Sequence, residues 1–270
     1  MSVLLKLFYF ILLCLLVSSC HDATNNHDKN INLDTFSDLR DEKYSLDIVD
    51  IREHISKIAS EDGVALPMDG FVNKYYKEQQ PFLWINRYGI YDRADTLLSL
   101  LKGIDYYGLS KDAFRVSKIE KDLYLARSLD IESSNDNLNR ILARLEYNLT
   151  KAFLRYSAGQ YFGFVNPDYL YNSLEEYQVD SLTTRFRQLC DLKVLRPDKK
   201  FYFKAISHIL NDSVAEFWHT TIPKGRLVGK LLKELDNPNL TKSERLRILC
   251  NIERCRWRLR GMPNTDLHNK

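Results

Sequence analysis

Apolar residues recur at steps of three and four along most of the chain, and this spacing predicts amphipathic helices. The clearest example is residues 135–159, NDNLNRILARLEYNLTKAFLRYSAG. Its apolar stripe consists of Leu138, Ile141, Leu142, Leu145, Leu149 and Ala152. We expect Gly159 and Gly163 to end this helix and Pro167 to mark a turn after it. The pattern therefore predicts one long helix with a wide buried face.

Weaker versions of the same pattern predict further helices. They cover residues 46–60, 92–107, 173–192, 226–237 and 241–259. In the first, the residues expected on one face are Leu46, Val49, Ile51, Ile55 and Ile58; in the second they are Leu97, Leu98, Leu101 and Ile104. Gly108 is a stop signal for the second. Thr241 and Glu244 form a Thr-x-x-Glu capping box at the start of the last.

Strands are hard to find in this sequence. The one short candidate is KKFYFKAI, residues 199–206, whose aromatic residues could equally open a helix. The chain shows no internal repeat and no low-complexity tract. We therefore predict a mainly α fold, a helical scaffold domain over residues 44–260 followed by a polar tail over residues 261–270.

The N-terminus carries the pattern of a bacterial lipoprotein signal. Lys6 precedes an apolar run from Leu7 to Val17, which is too short to span a bilayer but suits a signal peptide. Leu16-Val17-Ser18-Ser19-Cys20 resembles a lipobox, so we expect residues 1–19 to be removed and Cys20 to be lipidated. Residues 20–43 are polar and are predicted to form a tether. His21 follows the cysteine where an inner-membrane retention signal has Asp. We therefore expect an outer-membrane anchor facing the periplasm.

Charge and composition exclude some functions. Formal net charge is +3, and removing Lys6 with the signal leaves 38 − 36 = +2. Such a small excess, without a Lys/Arg block, argues against nucleic-acid binding. Many Leu, Lys, Glu and Arg with few Gly and Pro favour helices.

Candidate catalytic and metal motifs do not meet their spacing requirements. GRLVGKL, residues 225–231, is one residue short of a phosphate loop and lacks the Ser/Thr. His208, Glu216 and His219 lack the His-Glu-x-x-His step of a zinc helix. Glu175 and Glu176 are adjacent, so on the predicted helix their side chains would point about 100° apart and could not flank a glycosidic bond together. The sequence thus predicts no metal and no cofactor.

The cysteines are also expected to be unreactive. Cys190, Cys250 and Cys255 remain after signal removal, and no Cys-x-x-Cys is present. Cys250 and Cys255 would diverge on one helix by more than a disulfide tolerates. We interpret all three as small buried hydrophobic residues.

Three stretches, taken in order over residues 71–260, resemble the scaffold region of the large L,D-transpeptidases, which cross-link murein. The first carries Tyr76, Trp84, Ala94, Leu97, Leu101, Gly108, Leu109 and Phe114; the second carries Leu149, Thr150, Ala152, Phe153, Leu154, Tyr156, Gly163 and Pro167; the third carries Asn251, Glu253, Arg254, Arg256 and Trp257. We expect Leu149, Phe153 and Tyr156 in the core. Glu253, Arg254 and Arg256 are expected to form ion pairs or an interface.

The resemblance stops short of the family's catalytic equipment. The nucleophilic cysteine of that family lies in a Ser-His-Gly-Cys run, and this sequence has none; its one Ser-His is Ser207-His208. The signature of the peptidoglycan-binding module that the family often carries is also missing from residues 172–240. The resemblance thus implies a scaffold without its catalytic domain, a chain that is no enzyme by itself.

Three functional hypotheses follow. The first is a non-catalytic, lipid-anchored scaffold that binds peptidoglycan or a murein-synthesis protein. The second is the scaffold half of a truncated or split L,D-transpeptidase, active with a catalytic domain on another chain. The third is a helical envelope lipoprotein that binds an unrelated protein.

Overall fold

A computed structural model describes residues 44–131, 136–166, 174–188 and 194–259. Within them the fold is mainly α, as predicted. The helices are α1 (Ile48–Asp62), α2 (Pro67–Lys77), α3 (Arg93–Lys102), α4 (Val116–Ser128), α5 (Leu138–Phe162), α6 (Lys199–Leu210), α7 (Val214–Thr221), α8 (Arg226–Leu235) and α9 (Lys242–Arg256). Two 3₁₀ turns, Ile104–Tyr107 and Asp112–Phe114, connect α3 to α4.

The strands form two separate antiparallel pairs. β1 (Ile85–Asn86) pairs with β2 (Gly89–Ile90), and β3 (Leu174–Gln178) pairs with β4 (Thr184–Gln188). The predicted signal peptide, the tether with Cys20, the polar tail and Pro167 all lie outside the described residues. None of the helices that the structure describes is long and apolar enough to cross a membrane.

The long helix α5 is the centre of the molecule. Helices α1, α2, α4, α7 and α9 all pack against it, so it is buried on nearly every side. The predicted apolar stripe is buried throughout. Asn137 caps the start of the helix, because its Oδ1 accepts a hydrogen bond from the Arg140 N–H at 2.8 Å. Gly163, which has φ +93°, caps its end.

Gly159 does not end α5, contrary to the sequence prediction. The helix continues past Gly159 to Phe162, and Gly159 has a packing role instead. A Cβ at Gly159 would lie 2.0 Å from the ring of Phe164. The absent side chain therefore lets the chain fold back over the end of the helix.

The predicted face of α1 is correct only in part. Ile51 and Ile55 are buried against the core, whereas Leu46 and Val49 are exposed. Asp47 explains the shift, because its carboxylate accepts from the Val49 N–H at 2.7 Å and caps the helix there. Leu46 therefore lies before the helix and Val49 in its first turn, and both are exposed.

The helix predicted over residues 173–192 is wrong. The described part of this segment is the β3–β4 hairpin, with Leu174 opposite Gln188 and Gln178 opposite Thr184. Asp180 forms the turn, since its Oδ1 accepts from the Leu182 and Thr183 N–H groups at 2.9 and 2.7 Å. Such local bonds from an Asp side chain compete with helix formation.

Residues 199–206, which the sequence left open between strand and helix, form the first part of α6. Asp198 caps it, accepting from the Phe201 N–H at 2.8 Å. Four residues at helical spacing form the buried face: Tyr202, Ala205, Ile206 and Ile209. The aromatic residues that made a strand possible instead lie on different sides of this helix: Tyr202 is buried and Phe203 is exposed.

Helices α8 and α9 form a hairpin with its own small core. This core contains Val228, Leu231, Leu232, Leu235, Ile248 and Ile252. The predicted capping box is confirmed: Thr241 Oγ1 accepts from the Glu244 N–H, and the Glu244 carboxylate accepts from the Thr241 N–H. Helix α9 ends at Arg256, three residues before the predicted end, because Trp257 adopts an extended backbone.

Candidate functional site

The three sequence stretches meet at one place near the C-terminal end of α5. The meeting point, which we call the motif junction, consists of Tyr107, Gly108, Gln160, residues 163–165, Glu253, Arg256 and Trp257. Tyr107 and Gly108 come from the first stretch, Gln160 and residues 163–165 from the second, and the last three from the third. Residues distant in sequence are thus brought into direct contact.

Arg256 is the centre of the motif junction. Its side chain is only 5% exposed. Nε donates to Gln160 Oε1 at 2.9 Å, Nη1 to Glu253 Oε2 at 3.1 Å and Nη2 to the Tyr107 carbonyl at 2.9 Å. Burial lowers the pKa of Arg256, and the adjacent Glu253 carboxylate opposes that effect. The Arg256 guanidinium therefore joins α9, α5 and the 3₁₀ turn Ile104–Tyr107.

Glu253 and Gly163 complete the junction on its other side. Glu253 Oε1 accepts from the Val165 N–H at 2.7 Å. A Cβ at Gly163 would lie 2.4 Å from Trp257 Cδ1 and 2.8 Å from Glu253 Oε1. Trp257 Nε1 in turn donates to the Val165 carbonyl at 3.2 Å. Gly163 is required both for its positive φ and for this close approach.

Other predicted motif residues have clear structural positions. Tyr156 is fully buried and stacks on Trp218, with ring centroids 3.3 Å apart. Gly108 adopts the left-handed conformation at φ +72°, and a Cβ there would lie 2.4 Å from Leu249. Asn251 and Arg254 are outside the junction, where Arg254 Nη1 donates to Asn251 Oδ1 at 2.9 Å on an exposed part of α9. Of the residues expected in ion pairs or an interface, Glu253 and Arg256 form an ion pair, with Arg256 Nη1 3.1 Å from Glu253 Oε2.

The chain that leaves α9 is also held in place. Arg258 Nε donates to the Tyr161 carbonyl at 2.9 Å, and its guanidinium lies 3.6 Å from the centroid of the Tyr161 ring. The Arg258 carbonyl accepts from the Leu195 N–H at 2.7 Å. These contacts extend the junction beyond the last helix.

A second buried network joins the first two stretches through Glu146, which sequence reasoning missed. Its Oε1 accepts from the Leu83 N–H at 2.6 Å and the Tyr76 hydroxyl at 2.8 Å, and its Oε2 from the Trp84 N–H at 2.8 Å. Trp84 Nε1 donates to Thr150 Oγ1 at 2.8 Å. Burial raises the pKa of Glu146 to about 7, although the backbone donors act in the opposite direction. Both Trp84 and Thr150 therefore serve to position the loop before β1.

Leu149 and Phe153 lie in the core, as the sequence predicted, and both are fully buried. The Phe153 ring meets Trp84 nearly edge-on at 6.2 Å between centroids. Leu109 donates its N–H to the Ile104 carbonyl at 3.3 Å and continues the turn after Gly108. Leu149 and Phe153 therefore pack in the core around α5.

A cluster of charged side chains on the same helix was also missed. Lys151 and Arg155 from α5 pair with Asp62 of α1 and Asp69 of α2, with Lys151 Nζ 2.5 Å from Asp62 and Arg155 Nη2 2.7 Å from Asp69. Burial alone would raise the pKa of Asp62, but Arg115 and Lys151 lower it to about 2. Helical spacing places Lys151 and Arg155 outside the predicted apolar stripe, so hydrophobic periodicity did not indicate that they are buried.

The chemistry of these networks is that of a joint between helices. Each charge is matched by a charge of opposite sign or by backbone groups. Cys250 and Cys255 are free, and burial raises the pKa of the Cys255 thiol. Within the described residues, no group of three His, Cys, Asp or Glu side chains is arranged to hold a metal ion.

Helices packed around α5 and tied together at the motif junction define a helical scaffold. The model of the protein family described as "Scaffold domain" matches residues 70–206, half of the chain, and the chain belongs to that family. This agrees with the scaffold domain of an L,D-transpeptidase-like protein. The first two sequence stretches lie in the matched range, and the third lies beyond it. No curated protein and no solved structure matches the chain.

Proposed function

We propose that this protein is a non-catalytic, lipid-anchored scaffold of the L,D-transpeptidase type. It binds peptidoglycan, or a protein of murein synthesis, and organises cell-wall cross-linking. The observation that carries this proposal is the motif junction, where residues that resemble the motifs of that family join helices to one another. Membership of the Scaffold domain family supports the same role.

The bonding of the junction supports a mechanical role. Three guanidinium nitrogens of Arg256 each donate to a protein acceptor. Both oxygens of the Glu253 carboxylate also accept hydrogen bonds from protein groups. A side chain that binds a substrate needs donors or acceptors directed at solvent or at a cavity. In our proposal these residues therefore keep the scaffold rigid, and ligands bind elsewhere on its surface.

The N-terminal sequence supports attachment to a membrane. Lipidation of Cys20 would place two or more acyl chains on one residue, which is enough for stable anchoring. The predicted tether, residues 20–43, would span about 25–30 Å as a flexible coil. We propose the outer membrane, with the scaffold on the periplasmic side and within reach of the wall.

Co-sedimentation with purified sacculi tests the wall-binding proposal. The protein without residues 1–19, and with Cys20 replaced by Ser, is mixed with sacculi and centrifuged, and the pelleted fraction is compared with a sample without sacculi. We expect saturable binding. Recovery of the protein in the supernatant at every sacculus concentration would refute it.

Metabolic labelling with palmitate tests the anchor. The full chain is expressed in a bacterium, and Cys20→Ser is compared with Cys14→Ser, a matched change inside the apolar run. We expect label in the wild type and in Cys14→Ser and none in Cys20→Ser. Equal labelling of the two variants would show that Cys20 is not the lipidated residue.

A further inference from the structure

A cleft of about 340 Å³ lies between the 3₁₀ turn Ile104–Tyr107 and the α8–α9 hairpin. Its apolar walls include Leu232 and Leu235, which belong to the core of that hairpin. Its volume is at the lower end of the range of small-molecule sites, ~300–1,000 Å³. None of the residues of the motif junction lines it.

An exposed aromatic ring forms one wall of this cleft. Tyr106 is 60% exposed, although it follows the buried Ile104 in a well-packed turn. The ring is held by Tyr107, which it meets edge-to-face at 5.1 Å between centroids. The turn thus presents a fixed apolar surface to solvent.

Planar polar groups form the opposite wall. Asp236 and Asn237 follow the last turn of α8, and Arg245 extends from α9. Asn237 Oδ1 accepts from the Asn239 N–H at 3.0 Å, so the side chain is oriented while its amide donors pair with no described residue. Arg245 Nη1 donates to the Leu235 carbonyl at 3.3 Å, which holds the guanidinium beside the last turn of α8.

The charges in the cleft are balanced. Asp105 pairs with Lys111 at 3.0 Å, and Asp236 lines the same cleft as Arg245. The site therefore offers hydrogen-bond donors and acceptors beside apolar surface without a strong preference for either sign of charge. An uncharged ligand with both an apolar face and many hydroxyl or amide groups satisfies these features together.

We propose that this cleft binds a glycan strand of amino sugars. A pyranose ring has an apolar face of C–H groups that can lie on Tyr106. Its hydroxyl and acetamido groups lie at the ring edge, where Asp236, Asn237 and Arg245 can bond them. The identification of the ligand as wall glycan rests on the proposed wall-binding function.

A second cleft of about 490 Å³, near Tyr91, does not have these properties. Its aromatic ring is already covered, because the guanidinium of Arg93 lies 3.7 Å from the Tyr91 centroid. Asp212 pairs with Arg93 and Asp92 with Arg127, which leaves Glu216 as an acidic side chain in excess. The Tyr106 cleft is thus better suited to a neutral sugar.

The test is calorimetric titration with a soluble β-1,4-linked tetramer of N-acetylglucosamine. Tyr106→Ala is compared with Tyr124→Ala, a tyrosine of similar exposure, 62%, on α4. We expect wild type and Tyr124→Ala to bind the tetramer with the same affinity. The Kd of Tyr106→Ala should be at least about 10-fold higher. Asn237→Ala, an exposed change in the polar wall, should weaken binding in the same direction.

Sacculus binding by the same variants separates the two proposals. If wild type sediments with sacculi but does not bind the soluble tetramer, glycan binding by the cleft is refuted while wall binding stands. The same holds if Tyr106→Ala binds the tetramer like wild type. Failure to bind either sacculi or tetramer refutes both proposals. Circular dichroism of each variant verifies that it is folded.

Discussion

Glu146 shows how one buried carboxyl group positions a loop against the central helix. It lies next to Leu145 in the buried face of α5, yet its oxygens bond the backbone N–H groups of Leu83 and Trp84. Those two groups belong to a loop without regular structure of its own and would otherwise be buried without partners. The desolvation that raises the pKa of Glu146 to about 7 is the cost of this arrangement.

The raised pKa predicts a pH-dependent stability. The ordinary pKa of the group is 4.5 and the folded value is about 7, so the folded state binds the proton more tightly than the unfolded state. The resulting stabilisation is complete below pH 4.5 and is lost as pH rises through 7. The change is on the order of 3 kcal/mol in the free energy of unfolding. Urea unfolding at a series of pH values between 4.5 and 8 measures it.

Glu146→Gln is the variant that isolates this contribution. Glutamine cannot accept from both backbone N–H groups, so we expect lower stability at every pH. The fall in stability between pH 4.5 and 8 should be smaller than in wild type, since the titrating group is gone. An unchanged pH profile in Glu146→Gln would assign the dependence to other groups.

At the residue scale, sequence reasoning found roles where the type of interaction is evident from the side chain. It expected an ion pair among Glu253, Arg254 and Arg256, and the structure contains Glu253–Arg256. It missed Glu146 and Asp69, because hydrophobic periodicity identifies a buried face but not a polar residue whose partner lies far away in sequence. Asp69 and its partner Arg155 are 86 positions apart.

At the scale of elements, α9 is attached to α5 through Arg256 and to α8 through an apolar core. The mean hydropathy of the helix is low, and its buried residues include both Glu253 and Arg256 beside Ile248 and Ile252. Such a buried pair contributes little net stability while both partners are present. Removing one partner leaves the other charge buried alone.

Arg256→Leu should therefore be strongly destabilising. We expect the free energy of unfolding in urea to fall by about 3–5 kcal/mol, because Glu253 loses its cation. Arg247→Leu, at an exposed position of the same helix, is the matched control and should change it by only about 0.5 kcal/mol. Equal effects of the two substitutions would contradict the account of the junction.

Elements with a strong 3.6-residue period were predicted correctly, as α5 and α8 show. The β3–β4 hairpin was not, because Leu, Tyr, Val and Phe in residues 174–186 fit a helical stripe about as well as an alternating one. What decides the outcome is the turn at Asp180, whose side chain bonds two backbone N–H groups. A single Asp within a predicted helix is not sufficient to reveal this.

At the scale of the whole molecule, the sequence predicted the mainly α class and the resemblance to L,D-transpeptidase scaffolds. The family match over residues 70–206 confirms that the chain belongs to a scaffold domain family. The function is harder to predict from the sequence, because the motif residues hold helices together. The sequence alone also did not indicate the Tyr106 cleft, because its walls come from segments about 130 residues apart.

The central claim is that this scaffold binds the cell wall without changing it. Its most direct test is to incubate the purified protein with sacculi, recover the pellet and compare the muropeptides with those of untreated sacculi by mass spectrometry. We predict that the protein is in the pellet and that the muropeptide profile is unchanged. New cross-linked muropeptides would contradict the non-catalytic role, and absence of the protein from the pellet would contradict wall binding.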